Sequence, residues 1–259
     1  MRAGQPGPEQ GEPFLPRPVF AAPFHVRGDP TDTEFVYGRY GNPTWSNYER
    51  ALGELEGGEA VLFSSGMAAC SAVLLPSLRP GDTVVIPSDC YMHVRGVARD
   101  HLAPRGVDVR FVPTAELSAE QLPDGLRLLW VESPSNPGLE LCDVSALAAA
   151  AHERGAAVAV DNTFSTPLGQ LPLDLGADFS IMSATKHLSG HADLLLGYVA
   201  TGDPARAEEL RHWRRARAQS LDRSRSGWRT ARSRPSRFGS SGAVPTRRRW
   251  RSCSRRGER

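Results

Sequence analysis

Lysine is almost absent from this chain. Among its 31 basic residues only Lys186 is a lysine, and the others are arginines. A guanidinium group stays protonated and cannot condense with an aldehyde, whereas a desolvated lysine amine can lose its proton and react. Composition alone leaves two interpretations of Lys186 open, a surface residue and a nucleophile.

Cysteines are few, and no long apolar run is present. Cys70, Cys90, Cys142 and Cys253 lie far apart and form neither a CxxC motif nor a metal-binding pair, so we expect reduced thiols. No stretch approaches the roughly 18 consecutive apolar residues of a membrane span, and the first residues lack an apolar signal core. These absences predict a cytoplasmic protein that does not contact membranes.

The net charge of +2 conceals an uneven distribution along the chain. Residues 214–259 contain 16 arginines against Asp222 and Glu258, a local charge of +14, so the remainder carries −12. Such a break is typical of a disordered basic tail or of an arm that binds nucleic acid. Few aromatic residues are interleaved with these arginines. We therefore expect no nucleic-acid partner and keep that function as a remote alternative.

Six short apolar runs bounded by Asp, Pro or Gly alternate with helix-like stretches. The runs predict strands near residue 61 and from residues 82, 107, 126, 156 and 177. The clearest helix lies between Asp143, a capping residue, and Gly155, a terminating one. Alternating strands and helices indicate an α/β fold with a mostly parallel sheet covered on both faces.

Three chemically capable residues follow predicted strands. Glu132, Asp161 and Lys186 lie at or just beyond strand ends. Ligands of such sheets bind at the carboxyl ends of the strands. We therefore expect these side chains to converge on one edge.

The domain organisation follows from the same patterns. Residues 1–50 are rich in proline and aromatic residues and predict an arm that contacts another subunit and turns into a helix near Trp45. Residues 51–213 form the predicted cofactor-binding α/β domain, and residues 214–259 a basic, disordered tail.

Several ordered motifs resemble one enzyme family. Residues 161–197, DNTFSTPLGQLPLDLGADFSIMSATKHLSGHADLLLG, are similar to the signature of the Cys/Met metabolism pyridoxal-phosphate enzymes, the cystathionine synthases and lyases. Upstream, YGRYGNPTWSNYERALGELEG, FSSGMAA, ESPSNP and AVDNT recur in the family's order. The resemblance covers about residues 14–215. It implies pyridoxal 5′-phosphate as cofactor and the large domain of the aspartate-aminotransferase-like enzymes, fold type I.

The resemblance implies roles around the cofactor ring. Lys186 would bind the cofactor covalently and then move protons at the substrate, and Asp161 would pair with the pyridinium nitrogen. Tyr91 would stack on the ring and assist catalysis, and Asn136 would lie near the phenolic oxygen. A helix cap is the other interpretation of Asp161, and a simple turn before Pro137 that of Asn136.

A second group is expected to bind the phosphate. The main-chain N–H groups of Gly66 and Met67 would open a helix toward the anion. Ser183 and Thr185 lie two residues apart, so on an extended backbone both hydroxyls would face the phosphate from the same side.

The resemblance also implies an oligomer. A tyrosine and an arginine from a neighbouring subunit complete the phosphate site in the family, and they correspond to Tyr37 and Arg39. The active site would then need at least a dimer, and the intact enzyme would be a dimer of dimers.

A metal site is not expected. His187 and His191 have the four-residue spacing of helical ligands, but no carboxylate completes a HExxH motif. Both histidines belong to the lysine motif described above.

The expected activity is that of a cystathionine γ-lyase acting on a sulfur amino acid. Cystathionine γ-synthase, a β-lyase and a homocysteine-forming sulfhydrylase remain alternatives, as does an inactive subunit.

Family chains continue into a smaller domain carrying an arginine that binds the substrate carboxylate, and nothing after Arg217 resembles it. Back-translation with freely chosen codons, read one base out of frame, gives family-like sequence. We therefore expect a frameshift near Arg217, with the small domain missing and activity impaired.

Overall fold

The computed structural model describes residue 10 and residues 17–217. The predicted frameshift product from residue 218 onward, Cys253 and most of the first 16 residues lie outside the described residues.

Seven strands and six helices follow one another along the described residues. The strands are β1 (Glu59–Phe63), β2 (Thr83–Pro87), β3 (Asp108–Val112), β4 (Leu126–Glu132), β5 (Ala157–Asp161), β6 (Phe179–Met182) and β7 (Gly197–Thr201). The helices are α1 (Pro43–Glu56), α2 (Gly66–Ser77), α3 (Met92–Val97), α4 (Val144–Glu153), α5 (Thr166–Gly169) and α6 (Pro204–Ala216). Single helical turns lie at Pro30–Asp32, Ala98–Leu102, Ala103–Arg105, Thr114–Glu116, Ala119–Gln121 and Leu173–Leu175.

The strands form one sheet in the order β1-β7-β6-β5-β4-β2-β3. Among these seven, β7 runs antiparallel to both its neighbours and the other paired strands are parallel. The six strands expected from the sequence are confirmed, and so is the mostly parallel sheet. The sequence patterns did not predict β7. Its pairing with β1 joins residues about 140 positions apart, which local periodicity does not reveal.

Both faces of the sheet are covered, as predicted. Along β4, Leu128 and Trp130 pack against α2, whereas Leu129 and Val131 pack against α4. Successive residues of a strand point to opposite faces, and all four side chains are buried because both faces are covered. A third cluster packs α1 against β1 and β7.

Local signals explain where the helices begin. Asp143 caps α4 by accepting the N–H of Ala146 at 3.0 Å. Asn42 caps α1 by accepting the N–H of Thr44 at 2.9 Å, and its side-chain amide also donates to the carbonyl of Val19 at 2.9 Å. This second bond ties the N-terminal arm to α1.

Helix α6 continues beyond residue 213, where the sequence predicts the end of the domain. Arg214 is 3% exposed, forms an ion pair with Glu49, donates to the carbonyl of Leu62 at 3.1 Å and stacks on Trp45. The basic residue nearest the expected boundary therefore packs inside the fold, because Glu49 of α1 provides its counter-charge.

Within the described part of the chain, no helix is long and apolar enough to cross a membrane.

Candidate active site

Asp161 lies at the carboxyl end of the central strand β5. It is buried, and its Oδ1 accepts the N–H of Thr163 at 3.0 Å. Burial raises the pKa of the Asp161 carboxyl group, while hydrogen bonds from the Thr163 side chain and main chain oppose that rise. A buried carboxylate thus faces the edge at which ligands of parallel sheets bind.

Thr163 links Asp161 to the lysine segment. Its hydroxyl accepts the N–H of Ser183 at 2.8 Å, immediately after β6. The chain then turns, with the N–H of Lys186 donating to the carbonyl of Ser183 at 3.1 Å and that of Gly190 to the carbonyl of Lys186 at 3.0 Å. The side chain of Lys186 is exposed. These bonds place Asp161 and the single lysine at the same edge.

Gly66 begins α2 directly beside Ser183. A β-carbon at Gly66 would lie 2.7 Å from Ser183 Cβ and 2.9 Å from Ser183 Oγ. Ser65 caps the helix by accepting the N–H of Ala68 at 3.1 Å. The first N–H groups of a helix, here those of Gly66 and Met67, have no intrahelical partner. Of the four residues that one subunit is predicted to contribute to the phosphate site, the structure therefore brings three together at a positively polarised helix end.

Thr185, the fourth of these residues, has a different setting. The backbone across residues 184–189 forms turns, so the extended backbone expected for Ser183 and Thr185 is not observed. The Thr185 hydroxyl donates to the carbonyl of Leu196 at 3.1 Å and accepts the N–H of the same residue at 2.9 Å. A hydroxyl has a single proton to donate. In this arrangement Thr185 directs that proton to Leu196.

Tyr91 and Glu132 meet at the same edge. Tyr91 precedes α3, the residue is 37% exposed, and its N–H donates to Glu132 Oε2 at 2.7 Å. Asn136 follows in the loop after β4, where its N–H donates to the carbonyl of Asp89 at 3.3 Å. The predicted roles of Tyr91 and Asn136 toward a cofactor stay predictions.

Tyr37 and Arg39 lie on the N-terminal arm. The Arg39 guanidinium lies 5.4 Å from the centre of the Tyr37 ring and donates to the carbonyl of Arg215 at 3.3 Å. The structure thus places the two residues together beside α6. Their predicted role in the phosphate site of another subunit stays a prediction.

The three described cysteines and His187 have ordinary structural surroundings. Burial raises the pKa of Cys70, of Cys90 and, to about 11, of Cys142, so these thiols stay protonated near neutral pH. The rings of His187 and Phe164 meet edge to face. Among the described residues, no group of three His, Cys, Asp or Glu side chains could hold a metal ion.

A cleft of about 1060 Å³ opens at the opposite end of the sheet. Arg127, Ala157 and Phe179, at the amino ends of β4, β5 and β6, line it together with Trp213 of α6. The cleft therefore lies away from the edge that carries Asp161.

The edge fits pyridoxal phosphate by the chemistry of its donor set. A helix amino end, held against Ser183 so closely that a side chain at Gly66 would intrude, suits a phosphate. A buried carboxylate at Asp161 suits a protonated ring nitrogen, and one amine is available at Lys186 to react with an aldehyde. With the mostly parallel sheet, these features define the cofactor-binding domain of a fold type I enzyme.

The chain belongs to the Cys/Met metabolism PLP-dependent enzymes, whose family model matches residues 20–233. Members of this family depend on pyridoxal phosphate. The match extends past Arg217, so it does not stop where the regular sequence pattern ends.

Individual relatives carry different names. A protein of Streptomyces coelicolor, named provisionally as a cystathionine γ-lyase, is 53% identical over 220 residues, which is 83% of this chain and 56% of that protein. The cystathionine γ-synthase of Escherichia coli is 41% identical over 82% of this chain and 56% of its own length. The chain thus spans about half the length of these curated relatives.

Solved structures agree with the fold. Cystathionine γ-synthase from Xanthomonas oryzae pv. oryzae, determined in complex with cystathionine, superposes with a TM-score of 0.82 at 32% identity. The alignment covers 90% of this chain and 60% of that one.

Sequence reasoning missed two features of the site. Thr163 received no role, although a small hydroxyl residue two positions after Asp161 in AVDNT is placed to bond back to that carboxylate. Glu132 was expected at the edge without a function. Its bond to Tyr91 joins residues 41 positions apart, and no local pattern predicts it.

Proposed function

We propose that this chain provides the cofactor-binding part of a pyridoxal-phosphate-dependent carbon–sulfur lyase, which converts cystathionine and water to cysteine, 2-oxobutanoate and ammonia. The observation that carries the proposal is the grouping of Asp161, Ser183 and Gly66 at one sheet edge, with Lys186 in the adjoining turn. The choice of γ-elimination is supported by the Streptomyces relative, which bears that activity in its name.

Each residue has a task that its position permits. The N–H groups of Gly66 and Met67 bind the phosphate, aided by the Ser183 hydroxyl. Asp161 holds a proton on the ring nitrogen. Pyridoxal phosphate, when bound, supplies a ring that accepts electrons from the substrate α-carbon.

Two further residues act on the reacting side of the ring. The amine of Lys186 would hold the cofactor through its aldehyde and would move protons at the α- and β-carbons of the substrate. Tyr91 would orient the ring by stacking on it.

The single lysine permits a clean test of the cofactor site. Purified chain is incubated with pyridoxal phosphate, reduced with borohydride and digested, and the modified peptide is identified by mass. We expect the label on Lys186, and none there in Lys186→Arg, which keeps the charge but cannot condense. Label confined to the amino terminus would contradict the site.

Cystathionine γ-synthase is the second candidate, because the Escherichia coli relative and the Xanthomonas structure carry that name. One assay measures 2-oxobutanoate released from cystathionine. A second measures cystathionine formed from cysteine and an O-acylated homoserine, with Lys186→Arg as the blank in both. Release of 2-oxobutanoate alone supports the lyase. Formation of cystathionine at the higher rate assigns the synthase instead.

A further inference from the structure

Two carboxyl groups end neighbouring central strands side by side. Glu132 and Asp161 are register partners in the parallel pairing of β4 with β5, where adjacent strands lie about 4.8 Å apart. Their side chains point to the face of Trp130 and Ala159, which pack in one cluster with α2. Glu132 is 5% exposed and Asp161 8%. The pair is therefore buried on one face of the sheet.

Glu132 also fixes the start of α3. Its Oε2 accepts the main-chain N–H of Tyr91 at 2.7 Å, at the residue where the chain enters the helix. From this point the Tyr91 side chain projects outward from the fold, and its ring contacts the His93 ring edge to face. The position of the ring thus depends on a side chain from the strand beside Asp161.

Two adjacent buried carboxyl groups cannot both ionise without a large cost. Asp161 accepts hydrogen bonds from the main chain and side chain of Thr163, which stabilise its anion. Glu132 accepts the single N–H of Tyr91, and burial followed by the Asp161 charge raises its pKa to about 8. Asp161 therefore ionises first, and Glu132 keeps its proton at neutral pH.

Other ionisable groups face Glu132 from the elements packed around it. Asp89, after β2, raises its pKa further, and Arg95 of α3 lowers it. The Arg95 guanidinium also donates a hydrogen bond to the carbonyl of Ser88 at 2.7 Å. Cys70 of α2 and Cys90 are neutral thiols. None of these groups provides Glu132 with a counter-charge strong enough to offset burial and Asp161.

We propose that Glu132 is a positioning residue of the cofactor site, which holds the main chain of Tyr91 and carries the proton that allows its neighbour Asp161 to remain an anion. The proposal rests on the proposed function for the meaning of Asp161 and Tyr91. The carboxyl pair itself is a property of the chain without cofactor, so it can be tested separately.

The first test measures unfolding by urea between pH 4 and pH 9 for the chain without cofactor. The folded chain holds a proton that the unfolded chain releases above about pH 4.5, the ordinary pKa of a glutamate. The Glu132 contribution to stability is therefore complete below about pH 4.5 and is lost as pH rises toward about 8. One proton changes the folded-to-unfolded ratio by up to about tenfold per pH unit across this window.

Glu132→Gln should remove that dependence, because the amide keeps an acceptor for Tyr91 and cannot ionise. Asp161→Asn should lower the pH at which the Glu132 contribution is fully lost, because it removes the negative charge that raises the Glu132 pKa. Parallel pH profiles for wild type and Glu132→Gln would overturn the proposal, as would an Asp161→Asn profile identical to that of wild type.

The second test follows the absorbance of unreduced pyridoxal phosphate bound to the chain against pH. Glu132→Gln should retain the wild-type spectrum at pH 7 and lose a transition near pH 8, whereas Glu132→Ala should alter the spectrum at every pH. If both variants titrate as the wild type does, Glu132 has no such role. If wild type takes up no cofactor, the proposed function fails and the urea profiles still decide the carboxyl pair.

Discussion

Gly66 and Ser183 approach each other so closely that the glycine has no room for a side chain. A β-carbon at Gly66 would lie 2.7 Å from Ser183 Cβ and 3.1 Å from Ser183 Cα. The contact joins the amino end of α2 to the segment that carries Lys186. It keeps the predicted phosphate-binding N–H groups beside the predicted phosphate-binding hydroxyl.

Gly66→Ala should therefore lower the free energy of unfolding by about 1–3 kcal/mol, the usual range for overpacking a tight site, and weaken pyridoxal phosphate binding. Gly96→Ala in α3 is the matched control. A β-carbon there meets nothing within 4 Å, so we expect a gain of up to about 1 kcal/mol. Urea unfolding and cofactor titration measure both effects. Equal behaviour of the two variants would show that the contact at Gly66 is not tight.

Ser183 and Thr185 should separate into a binding and a structural residue. Thr185→Val leaves the main chain of buried Leu196 without its hydroxyl partner and should cost about 1–3 kcal/mol of stability without cofactor. Thr185→Ser should restore most of that loss. Ser183→Ala should change stability by less than about 0.5 kcal/mol yet weaken cofactor binding several-fold. The prediction is wrong if Ser183→Ala and Thr185→Val lose cofactor affinity equally and neither variant loses stability.

Arg214 should contribute to stability far more than its neighbour Arg215. Removing Arg214 leaves the largely buried Glu49 carboxylate without its counter-charge and the carbonyl of Leu62 without this donor, so Arg214→Met should cost about 3 kcal/mol. Arg215 pairs with Glu208 at the surface, and Arg215→Ala should cost less than about 1 kcal/mol. Thermal or urea unfolding distinguishes the two.

The double variant Glu49→Gln/Arg214→Met checks the cause. It removes both charges, so its loss should be smaller than the sum of the two single losses. A strictly additive result would show that the ion pair does not couple these residues.

Glu56 should make the fold less stable as pH rises. Its carboxyl group is fully buried, burial raises its pKa, and the Tyr198 hydroxyl donates to it. Stability from its proton is complete below about pH 4.5, the ordinary glutamate pKa, and declines above that value until the raised pKa is passed. Glu56→Gln should be more stable than wild type at pH 8 by a margin that shrinks at pH 5.

Exposed Glu54, on the same helix, provides the control for Glu56. Glu54→Gln should change stability by less than about 0.5 kcal/mol at either pH. A constant difference between Glu56→Gln and wild type across this range would rule out a raised pKa.

The sequence by itself determined the fold class and the family. Strand and helix periods are local, so six strands, the capped helix after Asp143 and the helix near Trp45 could be located without coordinates. The ordered motifs around Lys186 and Asp161 are local as well, and they identified the family that the comparisons confirm.

Tertiary structure decided the features that join distant segments. The insertion of β7 between β1 and β6, the burial of Arg214 against Glu49 and the bond from Tyr91 to Glu132 each join residues far apart in sequence. Thr185 shows the same limit, because its hydroxyl bonds to Leu196 across a turn that was expected to be extended. Local patterns do not specify which strands become neighbours or which polar atoms meet, since both depend on how the whole chain packs.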